Sequence, residues 1–182
     1  MKKLLTVLLL LSTALFAEVQ KKANYTMSMT DINGTKYTAT GTDNGLKISG
    51  MEGKIVFLEF FGHNCPPCLA SIPHLIHLQN KYKDTLAVVA IEVQGYNTAQ
   101  LKVFAKAKGM NYTVISEETA YPLVNYIQQR AQWRGSIPFL VILDQKGDVQ
   151  FIQVGMLPEE TLDKIIQKLS TTKETKSTKK SK

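Results

Sequence analysis

Cys65 and Cys68 are the two cysteines of the chain, separated by Pro66-Pro67 within the stretch FFGHNCPPCLASIP, Phe60 to Pro73. His63 and Asn64 stand directly in front of them. Two thiols at this spacing can attach haem, hold a metal, staple the chain or carry electrons. Haem attachment needs a histidine immediately after the second cysteine, and that position is Leu69. A structural zinc site needs four ligands, usually from two separated pairs. His63, His74 and His77 are the histidines of the chain, and the last two follow on one predicted helix. A copper or zinc site from His63, Cys65, Cys68 and His74 stays as an alternative. A disulfide across two intervening residues closes a very short loop and removes little chain entropy, so it makes a weak staple. Redox chemistry suits the pair better, because a thiolate that attacks a disulfide needs a second thiol within reach to release the mixed disulfide. A helix starting at the prolines would add partial positive charge that favours a thiolate.

The surrounding pattern predicts what holds these residues. KIVFLEFFG (54–62) is a near-continuous apolar run of the kind found in a strand covered on both faces. A helix is expected from Pro66 through Tyr82, kinked at Pro73. TLAVVAIEV (85–93) reads as a second buried strand, and 97–108 as an amphipathic helix stopped by Gly109. YTVI (112–115) is a short strand and 121–133 another helix. FLVILD (139–144) turns at Lys146-Gly147 into DVQFIQV (148–154), and 158–169 forms the last helix. Before all of these, 24–36 predicts a hairpin with a tight two-residue Asn33-Gly34 turn, and the glycine-rich 43–53 reads as a loop. Strands alternating with helices describe an α/β domain with a mostly parallel sheet, to which the late hairpin adds an antiparallel edge. The cysteines then fall at the carboxyl end of a central strand, where open α/β sheets gather functional groups.

The two ends have a different character. Lys2 and Lys3 precede an apolar run, Leu4 to Phe16, and the small residue Ala17. This reads as a secretory signal peptide over 1–17, with cleavage after Ala17 or, as second choice, Ala14. The run is shorter than the roughly 20 residues a spanning helix needs, and no cysteine near the cleavage region supports a lipid-anchored start. The last stretch, STTKETKSTKKSK (170–182), has five lysines, one glutamate and no apolar residue, so it is expected to be a disordered, solubilising tail. Lys2, Lys3 and this tail account for six units of the formal charge of +7, leaving 4–169 nearly neutral. About 150 residues remain between the ends, enough for one domain with a full core.

The chain resembles exported thioredoxin-fold thiol-disulfide oxidoreductases of the TlpA/ResA-like branch, which includes cytochrome c maturation reductases. The resemblance covers roughly 24–169. It rests on Cys65-Pro66-Pro67-Cys68, on Pro73 five residues later, and on Ile137-Pro138 opening GSIPFLVILDQKGDV. It implies a thioredoxin fold, a central mixed sheet flanked by helices, with the N-terminal hairpin as an extension. It implies that Cys65 attacks, that Cys68 resolves, that Pro138 is cis beside them, and that the Ile137 backbone pairs with an incoming substrate. Glu59, the one charge in IVFLEFFG, matches the buried acid of classical thioredoxins. Desolvation would keep it protonated and able to exchange a proton with Cys68. His63 and Asn64 belong to the active-site loop with the two prolines, and an imidazolium at His63 would favour the Cys65 thiolate. Asn64 and Phe61-Gly62 replace tryptophans usual in the family, and Ser71 replaces a frequent glutamate. The implied protein is periplasmic and monomeric and needs no dissociable cofactor beyond its Cys65–Cys68 disulfide. It would act on oxidised protein substrates, receive electrons from a membrane donor of the DsbD/CcdA type, and bind no nucleic acid. Running the same couple in reverse, as a dithiol oxidase, is the nearest alternative. Trp133 is assigned to the core, though its place shortly before Gly135 would also suit a residue flanking the site.

Overall fold

The computed structural model describes residues 25–177. The predicted signal peptide and the end of the tail lie outside these residues. The element order is β1 (Thr26–Thr30), β2 (Lys36–Gly41), β3 (Leu46–Ile48), β4 (Ile55–Phe61), α1 (Pro66–Lys81), β5 (Leu86–Glu92), α2 (Thr98–Lys108), β6 (Thr113–Ser116), α3 (Glu117–Arg130), β7 (Phe139–Leu143), β8 (Val149–Val154) and α4 (Glu159–Ser177). The predicted α/β order therefore stands, and the sheet it builds is five-stranded in the order β6-β5-β4-β7-β8. β4 runs parallel to β5, and β5 to β6, while β7 and β8 are antiparallel.

All seven residues of β4 are buried because both faces of the sheet are covered. On one face Ile55 and Phe57 pack with Leu75 and Leu78 of α1 and with Leu162 and Ile166 of α4. Phe61 packs there with Leu101 and Ala105 of α2. On the other face Val56, Leu58 and Phe60 meet α3 and the N-terminal strands. Fully burying a side chain of this size contributes roughly 1.5–3 kcal/mol, so these three clusters supply the main force that holds β4 central. The Cys65 loop hangs from the most firmly anchored strand.

Local signals place the helix ends well. Asn97 caps α2 in a reciprocal capping box with Gln100, and Gly109 ends it at φ 66°. α3 begins at Glu117, four residues ahead of the predicted start, because Ser116 takes the cap position and two acids fill the first turn. Pro122 lies inside the helix rather than at its start. Gln132, at φ 52°, then turns the chain so that Trp133 enters the core instead of continuing the helix to 133. α4 runs to Ser177, beyond the predicted boundary at Leu169. No glycine or proline follows Leu169 to stop it, and Ser170 Oγ donates to the Ile166 carbonyl at 2.8 Å. Among the described residues, no helix is long and apolar enough to cross a membrane.

The N-terminal unit differs from the expected hairpin. It is a three-stranded antiparallel sheet, β1-β2-β3, and β3 falls within the stretch read as a loop. The β1–β2 turn holds three residues between Asp31 and Thr35 rather than two. Gly34 N bonds Asp31 O, Asp31 N bonds Thr35 O, and Gly34 sits at φ 87°, a turn followed by a left-handed residue. The Asp31 carboxylate secures it by accepting from Asn33 N and Thr35 N, each at 2.8 Å. Hydrogen bonds that tie the sheet to the main body include Ile32 N to Val114 O at 3.0 Å, Thr119 Oγ1 to Thr30 O at 2.7 Å, and Leu46 N to Gly147 O at 2.8 Å. A side chain at Gly45 would lie 2.1 Å from the Gly147 carbonyl, so this crossing requires glycine.

Candidate active site

The chain leaves β4 at Phe61, passes Gly62, His63 and Asn64, and enters α1 with Cys65 in the N-cap position. Pro66 and Pro67 occupy the first turn, where a missing N–H costs nothing. Cys65 and Cys68 form a disulfide, with Cα atoms 5.2 Å apart. The Cys68 amide points at the Cys65 sulfur at 3.3 Å. Cys65 keeps 6 % of its surface open and Cys68 none, because the latter lies one turn in, facing Phe61, Ala90 and Leu101. After reduction, iodoacetamide near pH 7 is therefore expected to label Cys65 at least about tenfold faster than Cys68, since thiolate access governs the rate. Mass spectrometry of partially labelled protein reads this directly, and equal rates would remove the distinction between the two thiols.

Behind Cys68 lies Glu59, 5 % exposed and in the middle of β4. Burial pushes its carboxyl up to about 7, against the smaller lowering effect of a hydrogen bond with Ser71. The Ser71 hydroxyl is 2.9 Å from Glu59 Oε1 and 2.8 Å from the Cys68 carbonyl. It thus bridges the acid to the backbone of the inner cysteine. A hydroxyl has one proton and can accept others. With Glu59 protonated, its O–H donates to Ser71 Oγ while the serine donates to the Cys68 carbonyl. With Glu59 ionised, the serine turns to the carboxylate. The buried Tyr112 hydroxyl has no hydrogen-bond partner, and desolvation followed by the charge of Glu59 drives its ionisation upward. Burial is thus what disfavours the charged form of the acid, and the Ser71 bond offsets only part of it. In the sequence Ser71 stands out only as a departure from the family pattern. That it lies beneath the cysteines follows from its place one turn beyond Cys68.

The Ile137–Pro138 bond is cis. Pro138 is buried and Ile137 packs against the cluster that contains both cysteines. Trp133 braces this loop from the core. Its indole Nε1 donates to the Ser136 carbonyl at 2.7 Å, and its ring stacks on Phe139 and leans on Phe60. Gly155 N, following β8, holds the Pro138 carbonyl at 2.8 Å. The fold therefore brings together residues some 70 positions apart.

A second buried carboxylate was not foreseen. Glu92, at the end of β5, is opposite Phe61 in the parallel register, which sets it beside the start of the cysteine loop. Its Oε1 lies 2.8 Å from His63 Nδ1 and its Oε2 accepts from Tyr96 N at 2.9 Å. The Tyr96 ring stacks on His63 with centroids 3.6 Å apart, and Gln94 Oε1 accepts from Asn64 N at 2.8 Å. Gly62 permits that approach, because a side chain there would lie 2.2 Å from Gln94 Cδ. The available signal was the same one that marked Glu59, a lone charge in an apolar strand. Asn64, Pro66 and Pro67 are exposed around the sulfurs. His77 lies on the surface of α1 against Glu159, whereas His74 is half-buried with Nδ1 unpartnered. Among the described residues, no three His, Cys, Asp or Glu side chains converge on one point.

A two-cysteine cap on the helix that follows the central strand, facing a cis-proline loop across a β6-β5-β4-β7-β8 sheet, defines the thioredoxin fold. The thioredoxin-like family model matches residues 53–149. The chain belongs to that family, and its relatives there are of the ResA type. It is 28 % identical over 118 residues to the thioredoxin-like protein YneN of Bacillus subtilis, covering 62 % of this chain and 63 % of YneN. It is 24 % identical over 125 residues to the thiol-disulfide oxidoreductase ResA of Halalkalibacterium halodurans, covering 67 % and 66 %. The chain thus spans just under two thirds of the length of these two relatives. A thiol:disulfide interchange protein of Chlorobium tepidum superposes with a TM-score of 0.63 at 22 % identity, covering 79 % of this chain and 92 % of that one. β1, β2 and β3 precede the matched segment.

Proposed function

We propose that the protein is an exported thiol-disulfide oxidoreductase that reduces protein disulfides. The observation that carries the reading is the paired burial of Cys68 and Glu59 behind a marginally open Cys65. In the reduced protein the Cys65 thiolate attacks a substrate disulfide. One substrate sulfur joins Cys65 and the other leaves as a thiol. Cys68 gives its proton towards Glu59 and attacks the Cys65 sulfur, which breaks the mixed disulfide and leaves Cys65–Cys68 oxidised. Substrate backbone pairs with Ile137 at the cis-proline loop. Two electrons from a membrane donor of the DsbD/CcdA type return the pair to the dithiol, since an oxidising compartment does not supply them. The resemblance to the branch that includes cytochrome c maturation reductases makes an oxidised apocytochrome the candidate substrate, and the basic, apolar N-terminal segment favours periplasmic delivery. No dissociable cofactor takes part.

Direction is set by how strongly the Cys65 thiolate is stabilised. Its sulfur receives one amide, from Cys68, and the two intervening residues are prolines without N–H groups. The neighbouring His63 is paired with a buried carboxylate, which offsets part of the positive charge of a protonated ring. Stabilisation is therefore modest. The expected reduction potential lies below about −200 mV, nearer the roughly −270 mV of thioredoxin than the −120 mV of the oxidant DsbA. Equilibration with glutathione or dithiothreitol measures it, and turbidity from reduced insulin tests the direction. A potential near −120 mV, with rapid oxidation of reduced substrates, would replace this reading by the dithiol oxidase.

A further inference from the structure

The Glu92 side chain has no exposed surface. Burying a carboxylate costs several kcal/mol unless hydrogen bonds satisfy it. Here the backbone amides of Gln94 and Tyr96 donate at 3.0 and 2.9 Å, the His63 amide at 3.4 Å, and the His63 ring at 2.8 Å. An ionised carboxylate is an acceptor only. The ring nitrogen facing it must therefore be the protonated one, Nδ1–H. This fixes the tautomer and leaves Nε2 as a base in the neutral ring and a donor in the charged ring. Tyr96 clamps the ring plane from one side, and 23 % of the His63 side chain stays open. A rigidly held, half-open imidazole two residues before the attacking sulfur is more than docking requires.

We infer that His63, oriented by Glu92, is the acid–base residue for Cys65. The neutral ring takes the Cys65 thiol proton on Nε2, leaving a thiolate beside an imidazolium. The thiolate attacks the substrate disulfide, forming one S–S bond as the other breaks. The departing sulfur then takes the proton from Nε2, which restores the neutral ring. No oxidant or reductant beyond the two disulfide partners enters. His63 is the catalytic residue of this step and Glu92 a positioning residue. Glu59 serves Cys68 on the opposite, buried side, so each sulfur has its own proton carrier. The inference rests on Cys65 being the attacking thiol, and it holds for either direction of exchange. The ionisable groups around the dyad are Glu92 on β5, Tyr96 in the following loop, Cys65 on α1, and Glu117 in the first turn of α3. Burial first, and the charge of Glu92 second, hold the Glu117 carboxyl above its usual range.

The test is the pH dependence of Cys65 alkylation in the reduced protein. His63→Asn places an amide donor where Nδ1 stood, keeping the bond to Glu92 while removing Nε2. At pH 6 the variant is expected to react about fivefold or more slowly than the wild type, with the gap closing by pH 9, where the thiol ionises unaided. Glu117→Gln is the control and keeps the wild-type profile. A second measurement needs no variant in the site. The His63 ring-proton titration, followed by NMR, is expected to move to higher pH in the reduced protein relative to the disulfide form, because a thiolate and an imidazolium stabilise each other. Identical alkylation profiles, or superimposable ring titrations in the two redox states, would overturn the inference. If Cys65→Ser kept full exchange activity, the assignment of the attacking thiol would fail. If Cys65 proved essential while His63→Asn matched the wild type, the role of His63 alone would fail.

Discussion

Cys68→Ser is expected to hold a substrate protein on Cys65 as a long-lived mixed disulfide, while Cys65→Ser forms none and loses exchange activity by at least about a thousandfold, on the scale seen when a nucleophile is removed. The asymmetry follows from position. Cys65 caps α1 at the surface, and Cys68 lies one turn inside with no exposed area. A substrate sulfur can therefore reach the first thiol and not the second. Serine at 68 keeps the size and removes the sulfur that would resolve the adduct. Non-reducing electrophoresis after mixing each reduced variant with an oxidised protein reads the outcome. Equal trapping by the two variants would show that either sulfur is accessible, which the burial does not allow.

Glu59→Gln is expected to flatten the dependence of stability on pH and to slow resolution of the mixed disulfide above pH 5. The Glu59 carboxyl titrates near 7 in the folded protein, against 4.5 for the free group, chiefly through desolvation. Its folded-state value is raised, so the neutral form fits the fold and the charged form does not. Below about pH 4.5 both states hold the proton and there is no penalty. As pH rises through 7 the unfolded chain has released it and the folded chain must follow. Stability then falls by about 3 kcal/mol in total, at 1.36 kcal/mol per pH unit of displacement. Urea unfolding of the oxidised protein at pH 5 and pH 8 should show this loss in the wild type and little of it in Glu59→Gln. The glutamine can still bond Ser71 but cannot take the Cys68 proton. Resolution should consequently slow by about 10²-fold, the usual contribution of a placed acid or base. An unchanged pH slope would mean that Glu59 is ionised in the fold and has no part in proton transfer.

Local chemistry was enough to locate the cysteine pair, its helix and the two buried strands beside it. The apolar run 55–62 foretold the central strand, and its single charge, Glu59, matched the buried acid of the family it resembles. The reason is that sustained hydrophobicity and cap residues act within a few positions of themselves. Asn97 with Gln100, and Gly109, bounded α2 for the same reason. Where the deciding contact was distant, the sequence was silent or misleading. LKI (46–48) reads as part of a glycine loop. It becomes β3 only because β2 offers an edge and the core offers sites for Leu46 and Ile48. Gln132 ends α3 early because Phe60 and Phe139 receive Trp133. The site divides along the same line. Residue types and spacing marked Cys65 and Cys68, and the family resemblance added Glu59 to them. Only the parallel pairing of β4 with β5, which places Glu92 opposite Phe61, sets a second carboxylate against His63. Hydrogen bonds across 29 residues depend on strand register, and register is settled by the packing of both faces of the sheet at once.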